Sequence, residues 1–123
     1  MATKILIADD EPNIVISLEF LMQRMGHETR VARDGDEALA EVESFRPDLV
    51  LLDVMMPRRD GFEVCQKLRA DGWNDLKIVM LTAKGRDVEI EKGMAMGADA
   101  YVTKPFSTGE LVARVAGLLE GGG

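Results

Sequence analysis

Three aspartates of this sequence lie at the ends of short apolar runs: Asp9, Asp10 and Asp53. Thr82 follows a further apolar run, and Lys104 stands after a shorter one. Carboxylates that lie close together resist joint ionisation unless a positive charge lies among them. Mg²⁺ prefers oxygen ligands and often completes its shell with water and phosphate oxygens. Brought together, these residues predict a site for magnesium and a phosphoryl group, whose charge the metal and the lysine would neutralise.

The apolar runs themselves predict the strands that must position these residues. Residues 5–8, 49–52 and 78–81 are apolar without alternation, which is typical of strands covered on both faces in a parallel sheet. Residues 29–32 mix polar and apolar side chains and predict an edge strand. The short run 100–102 predicts a fifth strand.

Between these strands, apolar residues recur at helical spacing and predict five helices. Pro12 suits the first turn of the first helix and Gly26 its end. Ser107 and Glu110 form a capping-box pattern at the start of the last helix. Five repeats of strand and helix predict an α/β fold: a doubly wound, five-stranded parallel sheet with helices on both faces. Ligands of such sheets bind at the carboxyl ends of the strands, where the candidate residues lie.

The composition describes a single acidic domain. The chain has 123 residues and a formal net charge of −7, which argues against direct binding of nucleic acid or a membrane surface by this domain. We expect the domain to span residues 1–120, with residues 121–123 as a disordered glycine tail. The single cysteine, Cys65, suits a reducing compartment, and the chain carries neither a signal peptide nor an apolar run of membrane-spanning length. These features predict a cytoplasmic location.

Each candidate residue also has a plain structural explanation when it is considered alone. Aspartates at strand ends often cap the next helix or bond within a turn. Thr82 alone would be a strand-end residue, and Lys104 alone a solvated surface lysine. Their joint occurrence at the strand ends favours a functional site over several unrelated structural roles.

Short motifs follow one another in the order and at the spacing of one known family. They are Asp9-Asp10, Leu52-Asp53-Val54-Met55-Met56-Pro57, Asp60-Gly61, Leu81-Thr82-Ala83, Gly97-Ala98-Asp99-Ala100-Tyr101 and Lys104-Pro105-Phe106. Over nearly its whole length the chain resembles the receiver domain of two-component response regulators. The resemblance implies a flavodoxin-like sheet of strand order 2-1-3-4-5, as in chemotaxis regulators, and a phosphorylation switch as the function.

The resemblance implies a phosphoacceptor and a metal site. Asp53 would be the nucleophile that takes the phosphoryl group, and as a carboxylate it would need no general base. Asp10, Asp53 and the backbone carbonyl of Met55 would hold Mg²⁺, and Asp9 would reach it directly or through water. Mn²⁺ could substitute for Mg²⁺. The side chains of Met55 and Lys84 would tune the rate at which the acyl phosphate hydrolyses.

The resemblance also implies how the switch works. Lys104 would bind a phosphoryl oxygen, and its peptide bond to Pro105 would be cis. Thr82 and Tyr101 would form the switch pair: the threonine hydroxyl turns toward the phosphoryl group, and the tyrosine ring then fills the vacated space. The result would be a population shift that alters the face made by the fourth helix, the fifth strand and the fifth helix.

The implied partners are proteins. A sensor histidine kinase or a histidine phosphotransfer protein would supply the phosphoryl group, and a downstream protein or effector domain would bind the altered face. The chain would not be an enzyme in the usual sense, because it would catalyse only its own phosphotransfer and dephosphorylation. A phosphorylation-dependent homodimer stays open: Glu110 and Arg114 match the dimer face of the winged-helix transcription-factor subfamily, whereas Ala100 and Ile90 depart from it.

Three other functions are less compatible with the sequence. A phosphatase of the haloacid dehalogenase type needs a second aspartate two residues after its nucleophile, where this chain has Met55. A flavodoxin-like binding module needs a hydroxyl- and glycine-rich phosphate loop, where this chain has Asp9, Asp10 and Glu11. A scaffold that has lost phosphorylation is disfavoured because the set of acidic, hydroxyl and lysine residues is intact.

Overall fold

The fold alternates strictly between strand and helix. A computed structural model describes residues 3–83 and 87–120 of the chain. The elements are β1 (Lys4–Ala8), α1 (Pro12–Arg24), β2 (Glu28–Ala32), α2 (Gly35–Phe45), β3 (Leu49–Asp53), α3 (Gly61–Ala70), β4 (Lys77–Ala83), α4 (Asp87–Ala95), β5 (Ala100–Lys104) and α5 (Thr108–Glu120). The predicted α/β organisation is confirmed. The fifth strand is longer than its apolar run, so that Lys104 ends β5 instead of following it.

All five strands lie parallel in one sheet of order β2-β1-β3-β4-β5. This is the predicted order. Asp53 pairs with Leu81, and Ala83 pairs with Lys104. The register therefore aligns the carboxyl ends of the central strands and brings their last residues to one edge of the sheet.

The apolar runs lack alternation because each face of the sheet carries its own core. Leu6, Val50 and Met80 belong to one buried cluster, on the side of α2 and α3. Ile5 and Leu51 belong to the other, on the side of α1 and α5. Successive strand residues point to opposite faces, so both must be apolar when both faces are covered.

β2 has the burial pattern of an edge strand, with exposed and partly buried residues before the buried Ala32. A full capping box begins α3, where the Asp60 carboxylate accepts a hydrogen bond from Glu63 N at 2.8 Å and Asp60 N donates to Glu63 Oε1. At α5 the structure shows the hydroxyl half of the predicted box, because Ser107 Oγ accepts from Glu110 N at 3.1 Å.

No helix within the described residues is long and apolar enough to cross a membrane. The predicted glycine tail at 121–123 lies outside the described residues, so that the domain boundaries remain a prediction.

Candidate functional site

Three carboxylates meet at the carboxyl ends of β1 and β3. One oxygen from each of Asp9, Asp10 and Asp53 lies within 4.8 Å of the others. Asp9 and Asp53 are buried, whereas Asp10 is exposed. Clustered carboxylate oxygens at this spacing are the donor set that a hard divalent cation requires, so the residues fit the implied Mg²⁺.

The ammonium group of Lys104 lies among the same oxygens. Its Nζ is 2.9 Å from Asp9 Oδ2, 3.3 Å from Asp53 Oδ1 and 3.3 Å from Glu11 Oε1. The side chain retains 17% of its accessible surface, so its contacts with Asp9 and Asp53 are largely screened from water, whereas the Glu11 side chain is 60% exposed. The peptide bond between Lys104 and Pro105 is cis. Lys104 therefore neutralises part of the acidic cluster. Glu11 is a further carboxylate in contact with Lys104, and the sequence gave no reason to assign it a role in the site.

The environment of Asp53 disfavours its charged form. Burial, and then the negative charge of Asp9, raise the pKa of Asp53 to about 6, although Lys104 and the Met55 amide oppose the shift. Burial lowers the pKa of Lys104, but its hydrogen bond to Asp9 and the charges of Asp53 and Asp9 outweigh this and raise the pKa overall. A divalent cation on the same oxygens would favour ionised Asp53, because a nearby positive charge stabilises a carboxylate.

The loop after β3 holds Asp53 in place. Met55 N donates a hydrogen bond to Asp53 Oδ1 at 3.3 Å, and Gly61 N donates to the Val54 carbonyl at 2.8 Å. A Cβ atom on Gly61 would lie 2.4 Å from the Asp53 carbonyl oxygen, so no other residue fits there without a backbone shift. The Asp60-Gly61 motif therefore has a structural role, in which the loop closes against the end of β3.

Thr82 and Tyr101 lie on neighbouring strands. Thr82 pairs with Thr103 and Met80 with Tyr101, which places Thr82 and Tyr101 on the same face of the sheet. Thr82 is 1% exposed, and its Oγ1 is buried with no hydrogen-bond partner among residues 3–83 and 87–120. Buried hydroxyls normally have a partner, so this oxygen is available to a ligand. Tyr101 is 37% exposed.

A cavity of about 170 Å³ opens onto the acidic cluster. Its lining includes Glu11, Asp53, Met55, Glu89 and Lys104. The Met55 side chain is 70% exposed at this site. Glu89, on α4, was missed in the sequence interpretation. The sequence gives only a weak indication that Glu89 is buried: it lies four positions before Gly93 in a helix whose apolar pattern is irregular.

The structure brings most of the predicted site residues together. Asp9, Asp53 and Lys104 are in direct contact, and Asp10 completes the acidic cluster. Lys84 lies outside the described residues. The arrangement provides oxygen ligands for a cation within 4.8 Å of one another, and an ammonium group 3.3 Å from the buried Asp53 carboxylate.

Comparison with known proteins places the chain among similar proteins of one family. The family model of the response regulator receiver domain matches residues 5–116. A response-regulator structure from Chloroflexus aurantiacus J-10-fl is 36% identical, with a TM-score of 0.93 over 98% of this chain and 99% of that chain. The Francisella response regulator 1452 receiver domain is 35% identical, with a TM-score of 0.89 over 96% and 97%. NtrX from Brucella abortus is 31% identical, with a TM-score of 0.92 over 99% of this chain and 28% of that longer chain.

The chain belongs to the response regulator receiver domain family. Receiver domains are signalling modules of two-component systems and bind Mg²⁺ through an acidic pocket. They interact with histidine kinases and with downstream effectors. The acidic cluster around Asp53 fits such a pocket.

Proposed function

We propose that Asp53 accepts a phosphoryl group from a phosphohistidine on a sensor histidine kinase or a histidine phosphotransfer protein. The observation that carries this proposal is the contact between Asp53 and Lys104 within a cluster that also contains Asp9 and Asp10. Among the three aspartates, Asp53 is the one that both lines the cavity and contacts the lysine. This position supports its role as the acceptor of a group that enters from solvent.

In this proposal Asp9, Asp10, Asp53 and the Met55 backbone carbonyl hold Mg²⁺, and Mn²⁺ can take its place. When bound, the cation neutralises charge on the phosphoryl oxygens and on the carboxylates. An Asp53 carboxylate oxygen forms the new bond to phosphorus as the phosphorus–nitrogen bond of the donor breaks. The electron pair of that bond returns to the imidazole nitrogen. Lys104 stabilises the negative charge on the transferred group.

The phosphorylated state is read on the face formed by α4, β5 and α5. The buried Thr82 hydroxyl supports this part of the proposal, because a phosphoryl oxygen would give it the acceptor that it lacks within the described residues. Tyr101, partly exposed on the same face of the sheet, would turn inward as Thr82 moves. A downstream protein or effector domain would bind the altered face, and a homodimer through Glu110 and Arg114 is the alternative that stays open.

The chemistry is confined to the chain's own modification. The domain transfers a phosphoryl group to itself and hydrolyses it, and no separate metabolite is turned over. The exposed Met55 side chain, and Lys84 at the position the family resemblance gives it, would set the lifetime of the acyl phosphate. The acidic net charge of −7 disfavours direct contact with nucleic acid by this domain.

Intact mass spectrometry after incubation with acetyl phosphate tests the proposal. We expect one phosphate adduct on the wild type in the presence of Mg²⁺ and none after metal removal with EDTA. Asp53→Asn should give no adduct under either condition. Asp75→Asn changes an exposed aspartate outside the acidic cluster and should behave as the wild type. An adduct that persists in Asp53→Asn would place the phosphoacceptor elsewhere. The absence of any adduct, even with a phosphohistidine donor, would contradict the proposal.

A further inference from the structure

The loop that follows β3 carries the Met55 carbonyl, a ligand of the proposed metal site, and this loop is packed on both sides. On its inner side Val54 and Met56, the two neighbours of Met55, are buried in one core cluster. On its outer side Pro57 and the residues after it contact the start of α2. Because its own side chain is 70% exposed, the position of the Met55 backbone depends on these neighbouring contacts.

The contact between the loop and α2 involves the backbone of both. Gly35 N donates a hydrogen bond to the Pro57 carbonyl at 3.3 Å. A Cβ atom on Gly35 would overlap the carbonyl oxygen and the Cβ atom of Arg59, so the helix and the loop meet at backbone distance. Arg58, between these two loop residues, has a φ of 70°, in the left-handed region that residues other than glycine rarely adopt. Such a conformation persists where the surrounding contacts impose it.

Two ion pairs extend this contact. Arg59 Nε donates to Asp36 Oδ1 at 2.7 Å. Arg58 Nε lies 3.4 Å from Asp34 Oδ2. The two arginines of the loop therefore pair with the two aspartates that flank Gly35. The side chains of Arg59 and Asp36 are 42% and 54% exposed, so the free energy of this pair is small. Its hydrogen bond is nevertheless charge-assisted and short, and it restricts where the loop can lie.

The position of the loop matters because of the geometry that Mg²⁺ requires. The ion demands near-ideal octahedral coordination at short distances, so a displaced carbonyl ligand binds it less well. Residues that hold the ligands in place therefore influence metal affinity without touching the ion. Relaxation of the strained φ of Arg58 would draw the loop toward other conformations, and the contacts with α2 oppose this relaxation.

We propose that the start of α2, residues 34–36, holds the loop after β3 in the position in which the Met55 carbonyl can bind Mg²⁺. The inference rests on the proposed function and adds Gly35, Asp36 and Arg59 to the metal site as positioning residues, which act through the loop and not on the ion. By restricting the loop in the metal-free protein, the contact lowers the cost of ordering the ligand when the metal binds.

The signs of two charge changes separate positioning from long-range electrostatics. Asp36→Asn removes a negative charge, and Arg59→Gln removes a positive one. Through charge alone, the first should weaken Mg²⁺ binding and the second should strengthen it. If the pair positions the loop, both variants should bind Mg²⁺ about threefold more weakly than the wild type, in the range of exposed ion pairs. The double variant should bind about as weakly as either single variant, because each already breaks the pair.

Isothermal titration calorimetry measures the Mg²⁺ dissociation constants. Lys67→Gln and Asp71→Asn break an ion pair of similar exposure at the end of α3, and as matched controls they should bind Mg²⁺ as the wild type does. Arg59→Lys keeps a cation beside Asp36 and should bind within about twofold of the wild type.

Hydrogen exchange in EDTA reports on the loop independently of the metal. The amide of Arg59 is bonded to the Pro57 carbonyl, and that of Gly61 to the Val54 carbonyl. We expect both amides to exchange faster in Asp36→Asn and in Arg59→Gln than in the wild type, and at the wild-type rate in the two control variants.

Gly35→Ala tests the same contact through the backbone. Its Cβ must push the loop away from α2, and we expect Mg²⁺ to bind about tenfold more weakly. Thermal unfolding verifies that each variant folds. If Gly35→Ala does not fold, Asp36→Asn and Arg59→Gln still decide the proposal, because they change partly exposed side chains.

Opposite shifts in Asp36→Asn and Arg59→Gln would assign the effect to charge alone and overturn the positioning role. Affinities equal to those of the Lys67 and Asp71 variants would overturn it as well. Either result would leave the metal site in place, since the wild type would still bind Mg²⁺. Failure of the wild type itself to bind Mg²⁺ would instead overturn the metal site of the proposed function, and this inference with it. The same titrations therefore distinguish the two failures.

Discussion

The Nζ atom of Lys104 lies 3.3 Å from Oδ1 of Asp53, and both side chains are largely withdrawn from solvent. The same ammonium contacts the fully buried Asp9 at 2.9 Å. Lys104 thus provides positive charge at the acidic cluster both in the metal-free protein and in the proposed phosphoryl transfer. Without a metal it offsets two buried carboxylates, and in the proposed mechanism it also binds the incoming phosphoryl group.

Removal of the Lys104 ammonium should destabilise the metal-free protein. Lys104→Met keeps the aliphatic stem but leaves Asp9 and Asp53 without their cation, which should lower the free energy of unfolding by roughly 3 kcal/mol. Millimolar Mg²⁺ should recover part of the loss. Urea unfolding in EDTA and in Mg²⁺ measures both effects. The exposed pair of Lys67 with Asp71 gives the control, since Lys67→Met should cost less than about 0.5 kcal/mol. A Lys104 variant as stable as that control would refute this electrostatic role.

Asp53 should make the stability of the metal-free protein depend on pH. Burial and Asp9 raise its pKa to about 6 in the folded state, against about 3.9 in an unfolded chain. The folded protein therefore binds the proton more tightly, and its stability falls as the pH rises from about 4 to about 6. Asp53→Asn removes this penalty and should stabilise the protein by up to about 3 kcal/mol at pH 8, with little gain at pH 4.

Denaturant unfolding of both proteins in EDTA at several pH values checks this prediction. Asp75→Asn, at an exposed position, is the control and should leave the pH profile unchanged. An equal difference between Asp53→Asn and the wild type at pH 4 and pH 8 would show that Asp53 is not the source of the pH dependence.

Magnesium should stabilise the folded protein, because the acidic cluster is assembled only when β1 and β3 are paired. A concentration ten times the dissociation constant should raise the free energy of unfolding by about 1.4 kcal/mol. Asp10→Asn should reduce the gain with little effect on metal-free stability, since Asp10 is exposed. Thermal melts across a Mg²⁺ titration provide the measurement. A melting temperature that does not respond to millimolar Mg²⁺ would count against the metal site.

Much of the fold follows from patterns that act over a few residues. The continuous apolar runs at 5–8, 49–52 and 78–81 predict buried parallel strands because both faces of the sheet are covered. The strand order came from the family resemblance, since nothing in a local pattern sets which strands are neighbours. The extension of β5 to Lys104 was missed because its last residues are polar and are ordered by pairing with β4.

The residues of the candidate site also divide into those that the sequence predicts and those that depend on the packed structure. Asp9, Asp53 and Lys104 could be predicted because strand ends of a parallel sheet converge by geometry. Glu11 and Glu89 could not, because their place at the cavity depends on side-chain direction and on how α4 packs. The lack of a partner for the Thr82 hydroxyl within the described residues is likewise a property of the packed structure.

The close approach of Gly61 to β3 gives a final prediction, on how the loop holds the phosphoacceptor. A Cβ on Gly61 would lie 2.4 Å from the Asp53 carbonyl oxygen, so Gly61→Ala must displace the backbone at the site. We expect a loss of roughly 2 kcal/mol in urea unfolding, in the range of overpacked sites, together with weaker Mg²⁺ binding. Gly117 lies inside α5 with no atom within 4 Å of its added Cβ. Gly117→Ala should therefore stabilise the protein by roughly 0.5–1 kcal/mol. If both alanines stabilise the protein, the loop accommodates a side chain and does not fix Asp53 by this contact.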